Sequence, residues 1–415
     1  MTSMLTIDAP QPLVRDATSL GYLVIGATAV VHLCIAPLRR LTFDEAYYAC
    51  GATHGTPWPI PQHPPLLGAL LRAASHIPAI PVELRVRIVS IALSALTSLG
   101  VAHLAASIAA PAVRARSFFL GATIASWGLL PMCGAVQAIP EMPLLASLAW
   151  LLFAAHAYCE GRVRPALAAA GLVVLTALAL LSKGSAVPCV FAIFAALAWR
   201  RKLGAAAAVA LGTLVAAPSF LKAFFAQSGH AVGQGPFVSA PRVGVFAALA
   251  LGGLAMFVAF GPAAIVSGVR ARDALARLPG GAGTAALITA ACAISAVASG
   301  RLPEVHWFAP ASIPLYAAAA AALAGSALVA RRVLVSHVVP TVAAVVAWCM
   351  PIRGLEKSDF FAEAPHVAFS PIDGDLPWIA RAKTVRTIPP YGEESWRCLY
   401  AGQCEEIERK FGSVR

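Results

Sequence analysis

The sequence predicts an all-α polytopic membrane protein, and three observations carry that prediction. Hydrophobic residues make up 59% of the 415-residue chain and charged residues 12%, where a water-soluble domain carries roughly 25% charge. Mean hydropathy is +0.76. Apolar runs of about 20 residues recur, each long enough to cross a hydrocarbon core as a helix. The runs are continuous rather than alternating, which selects helices over a closed barrel.

Window by window, the spans fall at 18–38, 85–110, 117–136, 142–159, 166–182, 184–199, 203–221, 243–268, 283–299, 308–330 and 333–350. The expected architecture is therefore a bundle of about eleven transmembrane helices. The segment before the first run contains Asp8, Pro10 and Asp16, with Arg15 as its basic side chain. That is not the pattern of a cleavable signal peptide, so the first run reads as a signal anchor. Residues 1–350 form the expected membrane module and 351–415 a short polar tail.

Charge sets the expected orientation. The net charge of +12 divides into +13 for residues 1–350 (22 Lys+Arg, 9 Asp+Glu) and −1 for the tail (9 and 10). Five basic clusters fall in alternate loops: Arg114 with Arg116, Arg162 with Arg164, Arg200-Arg201-Lys202, Arg270 with Arg272 and Arg277, and Arg331-Arg332. The positive-inside bias puts that side in the cytoplasm, with the N-terminus inside and the tail outside. Arg39-Arg40 is the exception. Because the positive charge lies in short loops between spans, a nucleic-acid partner is disfavoured, and the expected location is an inner (plasma) membrane with a periplasmic tail.

Seven of the nine cysteines lie in or beside apolar runs and read as small buried hydrophobes. Cys398 and Cys404 sit close together in the tail, and a disulfide between them would imply an oxidising compartment.

The opposite, outer side carries the loops 39–84, 137–141, the turn near Lys183, 222–242, 300–307 and the tail. The longest inter-span loop, 39–84, contains Pro64-Pro65 followed by Leu66, Leu67, Leu70, Leu71, Ala74 and Ile77 on one helical face. That stretch is too short to span, so an interfacial helix fits it. Gly229, Gly233 and Gly235 suggest a mobile connector between Lys222 and Arg242.

Only nine acids precede residue 351, and two are adjacent: Leu41-Thr42-Phe43-Asp44-Glu45-Ala46-Tyr47-Tyr48, followed by Pro61-Gln62-His63-Pro64-Pro65-Leu66. Ile139-Pro140-Glu141-Met142-Pro143-Leu144, Leu181-Ser182-Lys183 and Glu304-Val305-His306-Trp307-Phe308-Ala309-Pro310 come after them in order. Together these motifs resemble the GT-C glycosyltransferases, on the branch of the protein O-mannosyltransferases and the bacterial lipid A aminoarabinose transferases. The resemblance covers roughly residues 20–330. It departs from the family at Glu141, where Asp is usual, at Gln62, where relatives often carry Asp, and in the shortness of the tail.

The resemblance implies a polyprenyl-phosphate sugar as donor, transferred to a lipid, glycan or protein acceptor, with inversion at the anomeric carbon. Such an enzyme deprotonates an acceptor and stabilises charge on a departing phosphate. Asp44 is the expected base, with Glu45 or Glu141 orienting the acceptor. Lys183 is the first candidate for the phosphate, and Arg301 with His306 the second. Tyr47, Tyr48 and His63 are candidates for the acceptor path, although tyrosines at this depth also belong to the aromatic belt and His63 could cap the helix after Pro64. The sequence requires no cofactor, and a divalent cation held by Asp44, Glu141 and a histidine stays open. Two other classes compete with the enzyme: a flippase or transporter for a lipid-linked saccharide, and a non-catalytic lipid-binding member of the fold. A transporter would place ionisable groups near the midplane, whereas these acids lie at one face.

Overall fold

The computed structural model describes residues 12–38, 41, 45, 48, 64–77, 80–128, 137–233, 261–299 and 308–349. Among the described residues every regular element is helical, and there is no strand. Asp44, Tyr47, His63, Arg301, His306, the tail with Cys398 and Cys404, and most of the predicted span 243–268 lie outside the described residues.

The first helix, α1 (Pro12–Ile35), runs into a 3-10 turn at Ala36–Leu38. Helix α2 (Leu66–Ser75) follows the two prolines, as the sequence predicts. Leu67, Leu71 and Ala74 are buried on its inner face. Ser75, which is not one of the stripe residues, is buried as well and donates its hydroxyl to the Arg72 carbonyl at 2.7 Å. Ile77 is exposed.

Helix α3 (Val82–Ile108) begins after Pro81 and stops before Ala110, whose extended backbone (φ −60°, ψ 145°) is the conformation that a following proline imposes. Then come α4 (Arg114–Trp127), α5 (Glu141–Cys159), α6 (Pro165–Leu180), α7 (Ala186–Trp199) and α8 (Leu203–Gly233). The remainder is α9 (Pro262–Arg270), α10 (Arg272–Arg277), α11 (Gly281–Ser299), α12 (Ala309–Leu323) and α13 (Ala327–Cys349). Among the described residues four segments are long and apolar enough to cross a membrane: Ala17–Leu38, Glu83–Ile108, Glu141–Cys159 and Leu203–Phe225. The chain is an integral membrane protein.

Three predicted boundaries are corrected. The seventh span continues past residue 221 to Gly233, with Pro218 inside it, so Lys222, Gly229 and Gly233 lie on a helix and not in a connector. Apolar residues persist through Phe224 and Phe225, and a membrane helix tolerates the proline. The end of the predicted span 243–268 is a separate short helix, because Gly261 turns the chain at φ +79°. The break between the last two helices lies at Ala324–Ser326, so Arg331 and Arg332 stand on α13 and not in a loop.

Helix α12 occupies the centre. Thirteen of its fifteen residues are buried, and it packs on α3, α4, α5, α9 and α11. Its run of alanines allows that crowding, since small side chains let helix backbones approach in lipid. Helix α9 comes so close that a Cβ on Gly268 would meet the Leu315 carbonyl oxygen at 2.3 Å. Helices α3, α4 and α5 pack side by side, and α6 joins α5 to α8.

The connections at one end of the bundle are tied by arginine. Arg277 Nη1 donates to the carbonyl of Ile108, the last residue of α3, at 2.8 Å. Arg200 donates to the carbonyls of Arg277 (3.3 Å) and Ala276. His156 lies 3.3 Å from the carbonyls of both Ser107 and Arg277. The connections at 109–114, 160–164, 200–202 and 271–280, which carry or adjoin four of the five predicted basic clusters, therefore share one end; the fifth, Arg331-Arg332, stands on α13.

Candidate active site

The candidate site is built at the other end from four sequence-distant pieces. Glu45 and Arg87 form a fully buried ion pair, both with 0% side-chain exposure. Arg87 Nε donates to Glu45 Oε1 at 2.9 Å and Nη2 to Oε2 at 2.7 Å, a bidentate fork. Arg87 Nη1 donates to the Ala36 carbonyl where α1 ends, and the Ala138 N–H donates to Glu45 Oε1 at 3.2 Å. One buried charge pair thus joins the end of α1, the opening of the first loop, the first turns of α3 and the segment leading into α5.

Geometry explains why this arrangement holds. A buried carboxylate is costly unless its oxygens are satisfied, and here two guanidinium nitrogens and a backbone N–H supply donors. Removing one partner of such a pair costs about 3–5 kcal/mol, so the loop opening is fixed.

The segment held by Ala138 leads directly to Glu141, the first residue of α5, which is 2% exposed. Glu141 Oε1 accepts an ion pair from Lys183 Nζ, whose side chain is 17% exposed. Lys183 sits in the turn between α6 and α7, the Leu-Ser-Lys turn of the sequence. That turn is anchored on both sides. The Leu66 N–H, at the start of α2, donates to the Leu181 carbonyl at 2.9 Å. Ser182 is fully buried and donates its hydroxyl to the Leu178 carbonyl at 2.6 Å.

The structure thus brings Glu45, Glu141 and Lys183 to one end of the bundle, with the start of α2 beside them. Tyr48 is buried there in the first loop. Asp44 and Tyr47, each one residue from these described positions, and His63, Arg301 and His306 lie outside the described residues. Among the described residues no group of three or more His, Cys, Asp or Glu is placed to hold a metal ion.

Sequence reasoning missed Arg87. The signal was present, because Arg85 and Arg87 stand within the first turns of an apolar run, and an ionisable residue inside a span is a functional candidate by default.

No family model matches the chain, and no curated protein matches its sequence. Solved structures do match. ArnT from Cupriavidus metallidurans bound to undecaprenyl phosphate superposes with a TM-score of 0.55 at 15% identity, over 92% of this chain and 84% of that one. The fold is that of the GT-C glycosyltransferases.

Two further GT-C structures extend the likeness. Apo ArnT from the same organism gives a TM-score of 0.53 at 18% identity, covering 72% of this chain and 59% of that one. The apo oligosaccharyltransferase of Archaeoglobus fulgidus gives 0.50 at 14% identity, over 92% and 64%. The present chain therefore spans roughly three fifths of the length of two GT-C chains and most of the third. At these identities the likeness establishes architecture and not the residues of the site.

Proposed function

We propose that the protein is a membrane glycosyltransferase that moves a sugar from a polyprenyl-phosphate carrier to a lipid, glycan or protein acceptor at the outer face of the membrane. One observation carries the reading. The buried Glu45–Arg87 pair fixes the residue bonded to Asp44 and, through Ala138, the approach to Glu141. A carboxylate, a second carboxylate and a lysine then belong to one end of a GT-C bundle, as transfer from a lipid phosphate requires. The undecaprenyl phosphate bound by the ArnT structure of the same fold supports a carrier of that class here.

In this mechanism Asp44 takes the acceptor proton as the acceptor oxygen or nitrogen attacks the anomeric carbon. The bond from that carbon to the phosphate oxygen breaks with its electron pair, the carrier leaves as a phosphate monoester, and the anomeric centre inverts. Glu45, expected as one of two residues that could orient the acceptor, is buried against Arg87 and instead holds the backbone next to Asp44, and Lys183, with Arg301 and His306, meets the phosphate. Tyr47, Tyr48 and His63 line the acceptor side.

Asp44→Asn tests the assignment with radiolabelled polyprenyl-phosphate sugar and envelope acceptors. Folded variant protein should lose transfer by about 10²–10⁴-fold, the usual contribution of a positioned base. Undiminished transfer removes Asp44 from the mechanism. Transbilayer movement of label without a glycosylated product would replace the transferase with a flippase.

A further inference from the structure

The partner of Lys183 points to an exchange built into the donor site. It rests on the reading of the site as one for a polyprenyl-phosphate donor. A lysine held by a carboxylate is not available to a phosphate without competition, and here the competitor is Glu141. The backbone around Lys183 has little freedom. Leu66 holds the Leu181 carbonyl, Ser182 is buried, and the Lys183 carbonyl accepts the Ala186 N–H at 3.0 Å. The part that can move is the four-carbon side chain, and it is the more exposed partner, at 17% against 2% for Glu141.

The reaction supplies a reason for movement. A polyprenyl-phosphate sugar is a phosphodiester with one negative charge; when its anomeric carbon–oxygen bond breaks, the carrier becomes a monoester approaching two at neutral pH. The attraction of phosphate for Lys183 therefore rises during transfer, while the charge of Glu141 stays as it was. We propose that Lys183 neutralises Glu141 in the resting protein and passes to the leaving phosphate during transfer, so that Glu141 restrains binding of the carrier phosphate. The ligand class is a lipid phosphate monoester.

The exchange makes a counterintuitive prediction: deleting an acidic residue should tighten binding of an anionic lipid only while Lys183 is present. The experiment measures undecaprenyl phosphate binding to the full-length protein in nanodiscs of zwitterionic lipid. The probes are wild type, Glu141→Gln, Lys183→Met and the double variant. Glu141→Gln should bind about tenfold more tightly, the release of one charged hydrogen bond. The double variant should bind no more tightly than Lys183→Met. Glu141→Asp keeps the charge and draws the carboxylate back by one methylene, so it should tighten binding by a smaller factor and serves if the Gln variant does not fold. Wild type that binds the lipid, with unchanged or weaker binding in both Glu141 variants, overturns the exchange and leaves the proposed function standing. Wild type that does not bind undecaprenyl phosphate overturns both.

Discussion

The two ends of the bundle satisfy their polar groups in different ways. At the basic end arginines meet backbone: Arg277 and Arg200 donate to carbonyls of Ile108, Ala276 and Arg277 at helix ends. Those carbonyls have no partner within their own helices, and long cationic side chains near helix C-termini are a general remedy. The ion pair recorded there, Arg162 with Glu160, is loose at 3.7 Å and solvent-exposed. At the candidate-site end cations meet carboxylates, and the Glu45–Arg87 pair lies out of contact with water. Capping a helix needs no buried acid. The difference separates ties between helix ends from buried charge pairs that join distant segments at the candidate site.

Four changes break or sharpen that contrast. Arg87→Met leaves the Glu45 carboxylate buried beside an apolar side chain and should cost about 3–5 kcal/mol. A thermal unfolding series in detergent would read this as a large drop in midpoint, with activity lost alongside. Leu66→Pro removes the N–H that reaches the Leu181 carbonyl, although proline suits the first position of a helix. About 1–3 kcal/mol of local stability should go, seen as faster hydrogen exchange in α2 and in the turn around Lys183. At the basic end, Arg277→Met removes one exposed donor and should cost about 1 kcal/mol with transfer unchanged. If Arg277→Met matched Arg87→Met, the two ends would not differ in kind. The smallest effect is a gain. Arg201 holds a left-handed backbone at φ 57°, a conformation that costs a non-glycine residue about 1–2 kcal/mol. Arg201→Gly should therefore raise the unfolding midpoint slightly and leave activity alone.

The helical class, the short helix after Pro64-Pro65 and the sharing of one end by four of the basic clusters were legible in the sequence. Each rests on a local signal: continuous apolarity, proline with a leucine stripe, and arginine spacing. The errors lie where local signals conflict with packing. Apolar residues carry α8 through Pro218 to Phe225 and the helix runs on to Gly233, and α13 absorbs Arg331 and Arg332 because the chain turns earlier, at Ala324–Ser326. In the site, Glu45, Glu141 and Lys183 were legible as a set. Their partners were not, because pairs forty-two residues apart, such as Glu45 with Arg87 and Glu141 with Lys183, leave no periodic trace in one sequence.

The bond from Leu66 to the Leu181 carbonyl also orders the assembly of the protein in time. Chains enter the membrane from the N-terminus, so the first loop emerges long before residue 181 has been synthesised. Until then the opening N–H of α2 lacks its Leu181 acceptor, and Glu141 lacks Lys183. The contacts of the candidate site are thus completed only after α6 and the turn that follows it are in place.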